Sequence, residues 1–337
     1  MPAASAVVAA AGVLLATAPG PSVLLTLQDP GIDESSGLAV SVRHPGVLWT
    51  HNDGGSVAQL EAVGPSGATV ARVTLAGIDP YDPEALAPGT DPAGRPALFL
   101  GDIGDNDRRR PDVSVFRFAE PARLTDQTVP ATWYRFTYPD GAHDAEALLV
   151  RPDGRLMIAT KALSGAGLYL APQHLVTRDQ GTNRLRRVAG VPSIVTDGAY
   201  LPDGRFVLRT YTAVYLYDRP GHEVDEAELP PQQQGEAVAA DGDRLLVGSE
   251  GVHSRVLSVP VPTTDTLSPP PGTTSSATGP SATASGSHPP AARADRRARA
   301  TSGLPGWAVA VLGVGLVLAG AVAALVTTRL GARRRRR

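Results

Sequence analysis

Carboxylate side chains recur at the start of short apolar strands in this chain. Glu84, Glu146, Asp197 and Glu236 each lead such a strand, and Ser36 stands at the matching place nearest the amino terminus. Carboxylates that lie close together raise each other's pKa unless a cation offsets them. Calcium, which takes about six to eight oxygen ligands, suits such a group. The pattern predicts a calcium-type metal site, with the alternative that each carboxylate only caps its own turn.

A second set of polar residues stands where the next strand of each segment ends. Its members are His51, Asp102, Thr160, Thr210 and Ser249. Polar residues are densest in two of the adjoining loops, THNDGG and GDIGDND. Asn and Asp are ordinary turn formers, and the second loop has Gly104 where an EF-hand would have a ligand. Neither loop specifies a site on its own.

The two sets together define the candidate functional residues. The predicted metal ligands are Glu84, Asp102, Asp105, Glu146, Asp197 and Glu236. The candidates for binding an organic ligand are Asn52, Asn106 and Lys161, and the catalytic candidates are His51, Asp53 and Lys161. Lys161 is the only lysine of the chain, and it would hold an anionic group or pair with the carboxylates unless it is simply solvated. For His51 the alternative is a hydrogen-bonded turn histidine, and Arg108–Arg110 are expected to form a solvated hairpin tip.

The elements that must position these residues form an internal repeat. Five segments run from a polar residue through an apolar strand and a Gly- or Pro-containing turn to a second strand, and their starts lie 48, 62, 51 and 39 residues apart. That spacing is close to the length of a four-stranded propeller blade. The sequence therefore predicts an all-β fold, a β-propeller over residues 22–262. Five blades are favoured, six remain open if the long unit hides another blade, and an open β-solenoid fits less well. The strand at 22–27 is expected to complete the last blade and close the ring.

Both ends of the chain indicate export and a membrane. Residues 1–21 are predicted to be a signal peptide, with a non-cleaved anchor or an apolar tail as alternatives, because no Lys or Arg precedes the apolar run. Residues 263–303 are rich in Pro, Ser and Thr and predict a disordered linker. Residues 304–328 contain 22 uncharged residues from Trp307 and predict one transmembrane helix. The Arg-rich tail at 329–337 then stays in the cytoplasm, which leaves the propeller outside the cell.

Composition excludes several functional classes. The net charge of −2 argues against nucleic acid as a partner. The chain has no cysteine, which rules out disulfides, thiolate zinc sites and thiol nucleophiles. It also has no G-x-S-x-G, HExxH or P-loop motif.

The motifs resemble those of a family of exported bacterial β-propeller proteins that are common in actinobacteria. The matching stretches are Glu34–Leu38, Leu48–Asp53, Asp82–Ala87, Leu98–Asn106, Asp144–Leu148 and Thr160–Lys161. The chain departs from the family where Pro83 and Ala85 replace Trp and Asp. More distantly it is similar to the calcium-dependent phytases with their phytase-like esterases, and to the gluconolactonase and regucalcin group. That resemblance implies a divalent metal at the mouth of the channel but transfers no substrate.

These observations lead to one main functional hypothesis and two rivals. The main hypothesis is a membrane-tethered extracellular propeller with a calcium site, acting as a binding or scaffolding module for an extracellular ligand or cell-wall component. The first rival is a metal-dependent enzyme, either a phytase-like phosphoesterase or a lactonase. The second is a structural surface protein with an empty channel. No nucleophile and base pair is evident, which favours binding over catalysis.

Overall fold

A computed structural model describes residues 19–54 and 57–263 of the chain. All regular secondary structure within those residues is β-strand. The same residues include no apolar helix of the length that a membrane span requires. Nearly all of the predicted signal peptide, the linker from residue 264, the predicted transmembrane helix and the tail lie outside the described residues. Those four predictions therefore stay predictions.

The described residues form 22 strands in five sheets. In chain order they are β1 (Ser22–Thr26), β2 (Ser35–Val40), β3 (Leu48–Asn52), β4 (Gln59–Val63), β5 (Thr69–Leu75), β6 (Pro83–Thr90), β7 (Pro96–Asp102), β8 (Val113–Ala119), β9 (Gln127–Val129), β10 (Thr132–Thr137), β11 (Ala145–Val150), β12 (Leu156–Thr160), β13 (Gly167–Leu170), β14 (Asn183–Arg184), β15 (Arg186–Gly190), β16 (Val195–Tyr200), β17 (Phe206–Thr210), β18 (Ala213–Arg219), β19 (His222–Glu228), β20 (Gly235–Asp241), β21 (Arg244–Ser249) and β22 (Arg255–Pro260).

Each sheet is one blade of a propeller. Blade one has the order β2-β3-β4-β5-β9, blade two β6-β7-β8-β10-β14, blade three β11-β12-β13-β15 and blade four β16-β17-β18-β19. Blade five has the order β20-β21-β22-β1, so the first strand of the chain pairs with the last and closes the ring as predicted. The five-bladed prediction is confirmed. A sixth blade is excluded because the long unit gives one sheet, and its spare strand β9 pairs in parallel with β5 of blade one.

The first strand of each blade lies innermost. Strands β2, β6, β11, β16 and β20 contact one another in turn, and β20 contacts β2. The second strand runs antiparallel to the first, so β2 begins and β3 ends on the same face of the ring. We call this face, on which all inner strands begin, the mouth face.

The hydrophobic core lies between neighbouring blades. One cluster joins Trp49 of blade one to Leu86 and Phe116 of blade two, and all three are buried. The Trp49 indole also donates a hydrogen bond of 3.0 Å to Glu120 Oε1. Apolar residues on both sheet faces are buried because each blade is covered on two sides, so the inner strands read as continuous apolar runs.

On the face opposite the mouth, the P-D-G-R turns place Gly154 and Gly204 at φ +78° and +89°, where a residue without Cβ is favoured.

Candidate functional site

A β-bulge interrupts each of the five inner strands next to its first residue. The residues in these bulges are buried, and we call them the bulge ring: Ser36, Glu84, Glu146, Thr196 and Glu236 (with Ala237 in the wider bulge of blade five). Bulges are frequent beside functional sites, where they redirect a side chain. The glutamates interact electrostatically across blades, Glu84 with Glu146 and Glu146 with Glu236. The five repeats thus bring one polar group each to the mouth of the channel.

Blade four contributes Thr196 to this ring where the sequence predicted Asp197. Asp197 pairs with Arg209 in the regular ladder and is one residue past the bulge. A shift of one residue moves a side chain to the other face of a strand. The Asp197 carboxylate instead accepts hydrogen bonds of 2.7 Å from the backbone N–H groups of Gly198 and Val238. Each of its oxygens therefore accepts a backbone N–H, and together they connect blades four and five.

A second ring comes from the residues that follow the second strands. We call it the rim ring: Asp53, Ile103, Lys161, Tyr211 and Glu250. The residues just before them pair with the first residue of the inner strand in every blade, as Asn52 does with Ser35 and Thr160 with Ala145. His51 lies one position deeper than the sequence set implied.

His51 is enclosed within blade one. Its side chain is 1% exposed and Nδ1 lies 3.0 Å from the Asn52 carbonyl oxygen, while Nε2 has no partner among the described residues. Burial lowers the pKa of His51 to about 4, against a smaller opposing effect of the Asn52 carbonyl. The ring is neutral and out of reach of solvent, which makes His51 a poor general base for a molecule entering the channel.

A third row of polar residues precedes the inner strands. Its members are Glu34, Asp82, Asp144 and Gln234. Three of them fix the rim ring through their carbonyl oxygens, which accept bonds from the N–H groups of Asp53 (3.1 Å), Lys161 (2.9 Å) and Glu250 (2.9 Å). The bulge ring, the rim ring and this row together are called the channel mouth below.

Lys161 is the only ammonium group in the channel mouth, and its charge is already paired. Its Nζ donates a hydrogen bond to Glu146 Oε1 and lies 5.1 Å from the centre of the Tyr211 ring. Burial lowers the pKa of Lys161, but the carboxylates of Glu146 and Glu236 raise it above its usual range in total. Lys161 therefore pairs with a carboxylate, and the alternative of a simply solvated lysine is wrong.

The carboxyl groups of the channel mouth hold their protons unusually tightly. Burial, followed by the neighbouring Glu146 and Asp82 carboxylates, raises the pKa of Glu84 well above its ordinary value. Burial and the adjacent Glu34 raise the pKa of Asp53 to about 8. The pKa of Glu250 rises to about 7 for the same reasons, burial first and then Glu236. The channel mouth therefore carries more carboxyl groups than its cations can neutralise.

Two oxygens of these glutamates have no hydrogen-bond partner. Among the described residues they are Glu146 Oε2 and Glu236 Oε2, and both atoms are buried because their residues are only 6% and 3% exposed. A buried acceptor without a donor is costly unless a ligand or ion supplies the missing contact. An all-oxygen donor set fits a hard divalent cation, although the carboxylates of the described residues do not converge on one point in threes.

The GDIGDND loop uses its own charges to hold its shape. Asp105 accepts bonds of 3.0 and 2.9 Å from the N–H groups of Arg109 and Arg110. Asp102 Oδ1 accepts a bond of 2.9 Å from the guanidinium of Arg110, which also lies 4.9 Å from the ring centre of Tyr81. Arg110 is therefore a partly buried partner of Asp102, whereas Arg108 and Arg109 are exposed as predicted. The predicted metal ligands Asp102 and Asp105 stabilise the loop.

The two candidate asparagines also differ in position. The Asn52 amide donates bonds to the Gly31 carbonyl (2.7 Å) and to Asp33 (3.3 Å), and its oxygen accepts from the Glu34 N–H. Asn52 thus fixes the loop that carries Glu34. Asn106 is exposed and lies beside Asp82. Burial, followed by the Asp144 carboxylate, raises the pKa of Asp82 to about 6, and the hydrogen bond with Asn106 opposes this rise.

Several residues of the channel mouth were missed or given no role by sequence reasoning. They are Glu34, Asp82, Asp144, Thr196, Tyr211 and Glu250. The P-D-G-R turn provides the signal that identifies Thr196, because R-P-D-G-R in blade three and L-P-D-G-R in blade four align Glu146 with Thr196.

The described residues also contain a cleft outside the channel. It measures about 330 Å³ and lies on blade one, where Asp29, Gln59, Glu61 and Arg72 line it together with Asn52 and Val57 at its mouth-face end. It does not include the bulge ring. The candidate site is therefore assigned from the bulges, charges and orphaned oxygens of the channel mouth.

No protein-family model and no curated protein matches the chain. Among solved structures the chain is similar to a luciferin-regenerating enzyme, at 14% identity over 68% of this chain and 79% of that one, with a TM-score of 0.42. It is similar to a gluconolactonase from Xanthomonas campestris at 14% identity, 70% and 89% coverage and a TM-score of 0.42. An aldose sugar dehydrogenase from Streptomyces coelicolor, solved with PQQ bound, gives 14% identity, 71% and 97% coverage and a TM-score of 0.39. The family resemblance drawn from the motifs stays a prediction.

Proposed function

We propose that this protein is a ligand-binding module whose channel mouth captures a cation, with a calcium-type divalent ion as the occupant. One observation carries the proposal. Glu146 and Glu236 keep a buried oxygen without a donor, in a channel mouth where carboxyl groups outnumber the single ammonium of Lys161. A bound cation would supply the missing contacts and relieve the repulsion.

The charges divide the channel mouth into two parts. On blades three and five, Lys161 partly compensates Glu146 and Glu236. On blades one and two, Glu84, Asp53 and Asp82 interact with one another. Gly104 keeps Asp82 and Glu84 together, because a Cβ there would lie 2.5 and 2.9 Å from atoms of their side chains. A cation is expected where the two parts meet, beside Glu146, which interacts with both Glu84 and Glu236.

The same charges argue against an anionic substrate. Lys161 faces two carboxylates, and Arg110 is paired with Asp102, so neither has charge to spare for a phosphate. A phytase-like phosphoesterase is therefore less favoured than the alternative of a lactonase. A lactone is uncharged and is not repelled by the carboxylates. In that case the metal would polarise the lactone carbonyl, while Asp53, with a pKa of about 8, would hold or release a proton beside it.

The direction of the chain bears on the proposed membrane tether. Strand β21 ends at the mouth face, so its antiparallel partner β22 begins there and ends at the opposite face, where the described chain stops at residue 263. The proposed linker and transmembrane helix therefore follow from the face opposite the channel mouth. We expect protease treatment of intact cells to release the propeller by cutting between residues 263 and 303. A propeller that stays protected in cells without an outer membrane would contradict the proposed topology.

Calcium titration by isothermal calorimetry tests the proposed function. The full chain, purified in mild detergent and freed of divalent ions, is expected to bind calcium at one site. Replacing both Glu84→Gln and Glu146→Gln should abolish the heat of binding, whereas Glu226→Gln, an exposed acid on the outer strand of blade four, should leave it unchanged. No binding by the parent chain, or equal binding by all variants, would disprove the metal site.

A further inference from the structure

The exposed apolar side chains on the mouth face form a regular pattern. Among the described residues ten large apolar side chains are exposed. Five of them lie in loops of the mouth face, one in each blade, and we call them the apolar rim: Val57 (51% exposed), Tyr81 (71%), Leu163 (82%), Tyr211 (36%) and Val252 (52%).

The topology places all five on the same face. Val57, Leu163, Tyr211 and Val252 lie in the loops that connect the second strand of a blade to the third, and Tyr81 directly precedes inner strand β6. Each of these loops joins strand ends that border the channel mouth. The other five exposed apolar residues are dispersed, with Val23 and Leu24 on the edge strand β1 and Val42 on the opposite face. Single exposed apolar residues need no explanation, but a set with one member per blade does.

The rim surrounds a strongly acidic centre. The inner strands bring the glutamates of the bulge ring to its centre, where Asp53 interacts with Glu84 and Glu250 with Glu236. The acidic centre repels nucleic acid and anionic lipid headgroups, and it attracts a basic side chain. A charged, desolvated centre within a ring of apolar contacts is the usual anatomy of a protein interface.

The molecule already contains an example of the expected contact. The Lys161 ammonium donates a hydrogen bond to Glu146 and lies 5.1 Å from the centre of the aromatic ring of Tyr211, which belongs to the apolar rim. Carboxylate and aromatic face together hold an alkylammonium group well. Among the described residues no ammonium group donates a hydrogen bond to Glu84, Asp53 or Asp82, although Lys161 lowers the pKa of Glu84 and Arg110 lowers that of Asp82.

We infer that the mouth face is a docking surface for a protein segment that inserts a lysine or arginine side chain into the channel mouth and packs apolar neighbours on the rim. The inference rests on the proposed cation site and names the partner class that uses it. The inserted side chain and calcium compete for the same carboxylates, so each weakens the binding of the other.

The test uses a fluorescein-labelled nonapeptide with one central lysine between leucines and serines, and a matched peptide with glutamine in place of lysine. By fluorescence anisotropy the full chain should bind the lysine peptide at least about tenfold more tightly than the glutamine peptide. Calcium should displace it. The double variant Leu163→Ser with Val252→Ser should lose at least about tenfold in peptide affinity while its calcium affinity stays unchanged. Val42→Ser, on the opposite face, should behave as the parent.

The outcomes separate this inference from the proposed function. If calcium binds but the lysine and glutamine peptides bind equally, or the rim variant binds the peptide as the parent does, the docking surface is wrong and the cation site stands. If neither calcium nor the lysine peptide binds, both are wrong. Rim-dependent binding of phosphatidylcholine vesicles without peptide binding would identify a membrane surface and overturn the protein partner.

Discussion

At the scale of single residues, the channel mouth holds charges that stability alone would not select. Glu84 is buried, and burial and neighbouring carboxylates raise its pKa. Among the described residues, the Ser36 hydroxyl donates a hydrogen bond of 3.2 Å to it. Burying a carboxylate near others destabilises the folded state unless a cation joins them. A buried carboxylate such as that of Glu84 is expected at a binding site, where it binds a ligand and lowers the stability of the ligand-free protein.

Glu84→Gln should therefore stabilise the metal-free chain and weaken its binding of calcium. The amide oxygen can keep the bond from Ser36, while the desolvated charge is removed. We expect the free energy of unfolding to rise by about 1 kcal/mol at pH 8. Urea unfolding in the presence of chelator measures the effect. Destabilisation by the same amount would show that the charge of Glu84 serves the fold.

Lys161→Met should have the opposite effect on both properties. It removes the only ammonium group beside Glu146 and Glu236, so the metal-free chain should lose about 2 kcal/mol of stability at pH 8 and bind calcium more tightly. The loss should be smaller at pH 5, where the glutamates can take up protons. Equal losses at both pH values would contradict the assigned ion pair.

At the scale of the elements, a buried arginine connects blades four and five. The Arg209 side chain is fully buried and occupies the position in β17 that His51 has in β3. It donates bonds to the carbonyl oxygens of Ala237 and Gly248 and to Gln232 Oε1. Burial lowers the pKa of Arg209 to about 10, which still leaves it charged at neutral pH. The Asp197 carboxylate crosses the same junction, and the two together position Glu236.

Arg209→Met should reduce the free energy of unfolding by about 3 kcal/mol, because buried carbonyl oxygens lose their donors. Arg205→Met provides the control, since Arg205 lies at a surface turn and its side chain bonds to the partly exposed Asp203. Its effect should stay below about 0.5 kcal/mol. Similar losses in the two variants would show that the junction does not depend on Arg209.

The repeat could be predicted from the sequence, but its phase could not be predicted in every blade. Strand lengths, turns and the acidic leading residues identify five blades because these are local features. The assignment of Asp197 followed residue type, whereas the bulge is fixed by the distance to the P-D-G-R turn, which selects Thr196. Likewise the polarity of His51 suggested a loop residue, although backbone pairing places it inside the sheet. The pairing of Arg110 with Asp102 depends on how the loop turns back, which residue types do not reveal.

At the scale of the whole molecule, the carboxyl groups of the channel mouth make stability depend on pH. The pKa of Asp53 is raised to about 8, that of Glu250 to about 7 and that of Asp82 to about 6. In the unfolded chain these groups ionise near pH 4. Buried His51, whose pKa is lowered to about 4, acts the other way below about pH 6.5. The raised carboxyl groups outnumber it, so the folded state binds more protons in total and stability falls as the pH rises from 5 to 8.

Thermal unfolding in chelator should show this dependence directly. The Tm is expected to decrease steadily from pH 5 to pH 8, and the decrease should be smaller in the double variant Asp53→Asn with Glu250→Gln. Far-UV circular dichroism of the parent and the variant provides the comparison. A Tm that is constant or rises over this range would show that these carboxyl groups are not held protonated by the fold.

The most direct test of the central claim is the response of the Tm to calcium. The full chain is first freed of divalent ions at pH 8, at or above the raised pKa values of Asp53 and Glu250, and calcium is then restored in steps. The cation site predicts that the Tm rises with calcium concentration in the parent and stays unchanged in the variant Glu146→Gln with Glu236→Gln. A Tm that does not move with calcium in the parent would contradict the claim that this propeller captures a divalent cation at its channel mouth.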